Sequence, residues 1–300
     1  TFIGNHSVAS GGAIYNYAQY TYDPTDAYAQ IGDITGDFIG NYVNDVTGDF
    51  MNHGGGGAIF NSGIDNTNFN ISIGNINGNF IRNYTTSESF DQYGGAIQNM
   101  AAEIGNITGD FVENYNSVSG SGKVAKGGAI YNGAINAAKG STIGDIKGDF
   151  IGNYATSTNG NAYGGAIYNA FEGAPNNSIS INSITGNFYN NSVTATAANS
   201  VAFGSAIYNN GHIGAIVGDF IDNTVNMGTF DSYDAAPNTG AIHNLGTIDS
   251  IKGSFAGNKT NYRYKSSGNV YSNSRATAIY NAGSIGLIDS VFYGNDILNE

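Results

Sequence analysis

The sequence predicts an all-β chain wound as a parallel β-solenoid of about eight to nine coils with three short strands per coil. Three observations lead there: two short motifs alternate along all 300 residues, the links between them vary widely in length, and Gly is abundant (45) while Pro is scarce (3). Self-similarity at a period of 20–50 residues marks a stacked-repeat architecture.

The first motif is G-G-A-I-Y-N. Its Ile recurs at Ile14, Ile59, Ile97, Ile130, Ile167, Ile207, Ile242 and Ile279, each preceded by Ala. Two residues after each Ile stands Asn16, Asn61, Asn99, Asn132, Asn169, Asn209, Asn244 or Asn281. The residue between is mostly Tyr, with Phe60, Gln98 and His243 as exceptions.

The second motif is F-x-x-N, at Phe2/Asn5, Phe38/Asn41, Phe80/Asn83, Phe111/Asn114, Phe150/Asn153, Phe188/Asn191, Phe220/Asn223, Phe255/Asn258 and Phe292/Asn295. Before most of these Phe residues runs I-x-x-I-x-G-x, as in Ile104–Asp110. Short runs rich in Ile, Phe and Tyr, bounded by Gly and Asn, read as strands.

The links set the size of a coil. Between the F-x-x-N Asn and the next double Gly lie 5 residues after Asn5 but 17 after Asn258. Between the G-G-A-I-Y-N Asn and the next I-x-x-I lie 3 residues after Asn209 but 14 after Asn16. Taking both minima, a turn needs 25 residues, which suits three short strands and three corners, the excess projecting as loops. Coils pairing at strand spacing make a rod of roughly 40 Å. Ile and Phe ladders then fill the interior, and Asn ladders pass amide hydrogen bonds from coil to coil. The prolines (Pro24, Pro175, Pro237) fall in the variable segments, where no ladder bond is lost. One irregularity stands out: Phe38 and Phe50 are too close for a full coil, which suggests a local insertion or a doubled strand.

Composition narrows the function classes. Only 11% of residues are charged, yet 40% are hydrophobic, so the chain has the means to bury a core. A net charge of -13 repels nucleic-acid phosphate and anionic membrane surfaces, so neither is expected as a partner. No apolar run is long enough to span a bilayer, and membrane insertion of this segment is not expected. With no Cys there is no disulfide and no thiolate metal site. The opening "TFIGNHSVAS" has neither the basic nor the apolar region of a signal peptide.

The paired G-G-A-I and F-x-x-N tetrapeptides, repeated along the chain, resemble those of the chlamydial polymorphic outer membrane proteins and related autotransporter passenger domains. The resemblance implies a right-handed β-helix, exported across a Gram-negative envelope and displayed outside the cell. It also implies adhesion, linked in that family to the two tetrapeptides, here the Phe/Asn and Ala-Ile pairs above. A surface protein or glycan of a host or neighbouring cell is then the expected partner. The double Gly is replaced at Gly204-Ser205, Thr239-Gly240 and Ala276-Thr277.

The acids of "IGDITGDFIGNY" (31–42), nearly repeated at 143–154, invite a catalytic or metal reading. Along the chain the residue before Phe runs Asp37, Asp49, Asn79, Asp110, Asp149, Asn187, Asp219, Ser254 and Val291. A catalytic acid or metal ligand does not survive such replacement, whereas an outward scaffold position does. No cofactor is expected; the one metal candidate is calcium bridging Asp110 and Asp149 on neighbouring coils. The calcium nonapeptide and the EF-hand loop are both missing from the sequence.

Polysaccharide lyases and glycosidases are the enzymatic alternative. Hydrolysis needs two carboxylates and lysis a strong base with calcium or arginine support, and the acids available for either stand in the segments holding Asp23, Asp26, Glu88, Asp91, Asp231 and Asp234. The histidines His6, His53, His212 and His243 stand singly. Recognition is expected where sequence departs from repeat: Tyr20, Tyr22 and Tyr28 in one variable segment, and Tyr262, Arg263 and Tyr264 in another.

The expectation is a single repeat domain over 1–300, non-enzymatic, forming a segment of a longer array or a fibre subunit that associates end to end.

Overall fold

A computed structural model describes residues 1–18, 28–44, 53–63, 70–135, 140–172, 179–232, 237–266, 268–275 and 278–295. Among them there is no helix, and every strand pairing but one is parallel and joins one coil to the next. The chain is a parallel β-solenoid.

One coil shows the order. Asn70–Ile73, Ile76–Asn77 and Phe80–Ile81 form one side, sheet A. Tyr84–Ser87 follows as sheet B, Asp91–Tyr93 as sheet C, and Ile97–Met100 as sheet D. Motif pairs with motif in register: Phe80 lies between Phe38 and Phe111, and Ile97 between Ile59 and Ile130. Phe38 stacks directly on Phe80 at 4.8 Å, so the Phe ladder skips Phe50, which lies outside the described residues.

Sheet C is an addition to the predicted strands. It has five rungs and occupies the link that the sequence suggests to be loop. In that link, strands of sheets B and C face each other over a core of their own, which includes Val118, Ala125, Ala155, Ala162, Val193 and Ala202. The larger core of Ile, Phe and Ala ladders lies between sheets A and D. The coil is therefore two-lobed, and link length sets the size of the second lobe. The five residues after Asn5 hold a two-residue sheet B strand, His6–Ser7, and, in place of a sheet C strand, a single bridge from Ser10 to Gly55.

The double glycine makes the waist between the lobes. A Cβ on the second Gly would strike backbone on two sides: on Gly95 it would meet Gly128 O and Tyr115 O, and on Gly128 it would meet Gly165 O and Tyr154 O. At Gly95 and Gly128 the chain entering sheet D thus runs against the backbone of the corner leaving sheet A, whereas in a later coil the same position holds the buried side chain of Ser205. We expect Gly95→Ala to cost 1–3 kcal/mol in denaturant unfolding, as a local overpacking does. An unchanged midpoint would refute the waist.

The F-x-x-N corner has its own requirement. Its third position is left-handed in every coil: Gly4, Gly40, Arg82, Glu113, Gly152, Asn190, Asp222, Gly257 and Gly294 all have φ between 53° and 64°. Gly takes five of these nine positions because a side chain is disfavoured there.

The corner Asn is buried from Asn41 to Asn258 and fully bonded. Each amide Nδ2 donates to the Oδ1 of the Asn one coil on, at 2.7–3.0 Å. The same Oδ1 accepts the backbone N–H of the previous Asn, and Nδ2 also donates to the carbonyl of the previous coil's Phe, as from Asn153 to Phe111 at 2.8 Å. A second ladder runs from Asn16 to Asn281 at 2.7–2.8 Å. Phe rings stack beside the first ladder at 4.5–5.0 Å from Phe2 to Phe292.

The one antiparallel pairing joins Lys259–Ser266, a strand of sheet B, to Asn269–Arg275. Lys259–Ser266 pairs on its other edge with Thr224–Phe230, so the hairpin's return strand covers the edge that a further coil of sheet B would use.

Candidate functional site

Sheet A turns a flat outer face to solvent. Strand alternation sends Ile34, Ile76 and Ile107 inward and Thr35, Asn77 and Thr108 outward. Because the rungs are in register, each outward position becomes a straight column along the axis.

The two acid-bearing columns turn out to hold the coils together. In one, Asp37 Oδ1 accepts the backbone N–H of Asn79, and the pattern continues through Asp110, Asp149, Asn187 and Asp219 to Ser254 at 2.7–3.0 Å. In the other, Asp33 accepts from Asn75 N, Asn75 from Asn106 N and Asn106 from Asp145 N, at 2.7–2.9 Å. Only an Oδ1 acceptor is needed, which explains why Asp and Asn interchange. Ser183 and Asn182 donate to Asp145 and hold its carboxyl below the ordinary value.

The calcium candidates Asp110 and Asp149 are consecutive members of the first column, with Asp149 N donating to Asp110 Oδ1 at 2.9 Å. Among the described residues no three His, Asp or Glu side chains are grouped as metal ligands would be. Of the candidate catalytic acids, Asp91 sits in sheet C and accepts from Val124 N, while Asp23, Asp26 and Asp234 lie outside the described residues.

Between the Asp33–Asn75–Asn106 column and the Thr35–Asn77–Thr108 column runs a groove of about 360 Å³ spanning three coils. Ile34 and Ile76, whose side chains are buried in the core, lie between the two columns. Only Asp33 brings a charge to it, and the other polar walls are amides and hydroxyls.

The variable-segment candidates divide. Tyr20 and Tyr22 lie outside the described residues. Tyr28 is 71% exposed at the start of a sheet A strand. Tyr262 corrects the expectation of an exposed contact: it is 2% exposed, set edge-on to Phe230 in the second lobe's core. Its strand belongs to sheet B, where alternation turns Tyr262 inward and leaves Arg263 exposed. Tyr264 stacks on Tyr271 across the hairpin at 5.3 Å.

One surface feature escaped the sequence reading. His6, Tyr42, Tyr84, Tyr115 and Tyr154 stack ring on ring at 4.5–4.9 Å along the outside of sheet B. Burial, with Tyr154 and Tyr84 on either side, pushes the Tyr115 phenol up to about 12. The signal was the Tyr that follows the motif's Asn in four successive coils.

No family model matches the chain, and no curated protein or solved structure matches it either.

Proposed function

We propose that the protein is a non-enzymatic, exported β-solenoid displayed at a bacterial surface, acting as an adhesin or a rigid stalk that presents recognition surfaces. The motif residues are engaged in the scaffold: Phe and Ile in the core, Asn in bonded ladders, Asp and Asn as backbone acceptors. Outward columns instead change residue from coil to coil, as in Thr35, Asn77, Thr108, Lys147, Thr185, Val217 and Lys252. The observation that carries the reading is the polar groove on the outer face of sheet A, a shaped surface on a rigid support. The motif resemblance adds export and adhesion.

The test is saturable binding of the purified chain to cells and to arrayed glycans and surface proteins, with the medium assayed for released sugar. Binding without product release is the expected result. Sugar release abolished by a single Asp→Ala change, Asp231→Ala for example, would replace this reading with a polysaccharide-active enzyme; no binding to any surface would end it.

A further inference from the structure

We propose that the sheet A groove binds a neutral, hydroxyl-rich saccharide chain lying parallel to the solenoid axis across three coils. This rests on the adhesin reading and names a ligand for it.

The first argument is which polar groups are left unengaged. The wall formed by Asp33, Asn75 and Asn106 is tied up in backbone capping through Oδ1. The side chains of Thr35, Asn77 and Thr108 form the opposite wall, are exposed, and make no hydrogen bond to another side chain or to backbone among the described residues. A row of unbonded hydroxyl and amide groups, one per coil, presents donors and acceptors at a regular interval along one line. A polymer of hydroxyl-bearing rings presents the same alternation along its own length.

Charge gives the second argument. Asp33 is the only acidic or basic residue among the described residues lining the groove, and Asp37 and Asp110 stand in the next column. Carboxylates accept hydroxyl hydrogens readily, while they repel sulfate, phosphate and uronate. A net charge of -13 extends that repulsion over the whole surface. Size agrees: about 360 Å³ falls within the range of small-ligand pockets.

The tyrosine column is the rival site for a sugar. Its rings lie face to face, 0–9° from parallel between Tyr42 and Tyr154, so the faces within the column are covered by their neighbours, and only the end ring, Tyr154, meets a Ser, Ser192, in the next coil in place of a ring.

The molecule supplies its own controls. Lys147 and Lys252 occupy the same column as Asn77 in other coils, so a lysine there is compatible with the fold. The experiment titrates the wild type, Asn77→Lys and Thr185→Lys with neutral gluco-, manno-, galacto- and xylo-oligosaccharides and with oligogalacturonate, by calorimetry. Thermal melts confirm folding of each variant. The expected result is binding of at least one neutral oligosaccharide, weakened tenfold or more by Asn77→Lys, unchanged by Thr185→Lys, with no binding of oligogalacturonate. Unchanged binding in Asn77→Lys, equal loss in Thr185→Lys, preference for the acidic sugar or no neutral ligand at all would each overturn the proposal. Cell adhesion scored on the same proteins separates the two readings. Adhesion that survives Asn77→Lys removes the groove and keeps the adhesin; sugar binding by a wild type that adheres to nothing does the reverse.

Discussion

Asn153→Asp should destabilise the solenoid by about 4 kcal/mol, while Asn106→Asp, the same chemical change on the outer face, should stay within about 0.5 kcal/mol. Asn153 is buried at 0% exposure, and its Nδ2 donates to Asn191 Oδ1 at 3.0 Å and to Phe111 O at 2.8 Å. Aspartate puts an oxygen where that donor stood, facing two acceptors. The carboxylate must either ionise unpaired in the interior or take a proton that can serve only one of them. Asn106 is exposed and is used through Oδ1, which accepts the backbone N–H of Asp145 at 2.8 Å. A carboxylate fills that role unaided, as Asp110 does for Asp149. Urea unfolding of both variants decides the matter: equal losses would show that the two Asn positions are not the distinct ladders described above.

The second large effect is acid lability centred on His243. This side chain is 3% exposed, stacks between Tyr208 and Tyr280 with Phe203 alongside at 4.3 Å, and has no hydrogen-bond partner for Nδ1. Burial lowers its pKa to about 4. The unfolded chain, with an ordinary His value near 6.5, binds the proton first as pH falls. His243 therefore costs no stability above about pH 6.5, and the loss grows as pH drops towards 4, where it reaches about 3 kcal/mol. His243→Tyr restores the residue found at Tyr208 and Tyr280 and removes the titration. Between pH 7.5 and pH 4 the wild type should lose about 3 kcal/mol more than the variant, the carboxylates common to both cancelling. Parallel pH profiles would refute it.

Much of the fold was legible because a stacked repeat exposes its constraints many times over. Nine Phe/Asn pairs and eight Ala-Ile pairs reveal which positions are inward without any view of tertiary contacts. The second lobe was not legible. Its strands repeat as alternation of small residues, such as Ala155 and Ser157 or Val193 and Ala195, and not as a fixed word. Link length was read as slack, although ten or more residues are enough for two strands and a core between them. Tyr262 was misplaced for the same reason, as an aromatic in a variable segment that continues a sheet. The acids at 33 and 37 were rightly read as replaceable. Their acceptor role was hidden because the bond runs to a neighbour some forty positions away, Asn75 and Asn79. The groove needed three coils at once, and nothing in a single repeat announces it.

The two asparagine ladders also give the rod a direction. In every coil the carboxamide nitrogen points towards the next coil and its oxygen towards the previous one. Within each ladder these side-chain dipoles add up, whereas sheet backbone dipoles largely cancel. Each of these two buried ladders is thus an electrical arrow, with its positive sense along rising residue number, while the exposed amides of Asn75, Asn79 and Asn187 point the other way. Turning a block of coils end over end would set amide against amide, so such a block can join another in only one of its two orientations.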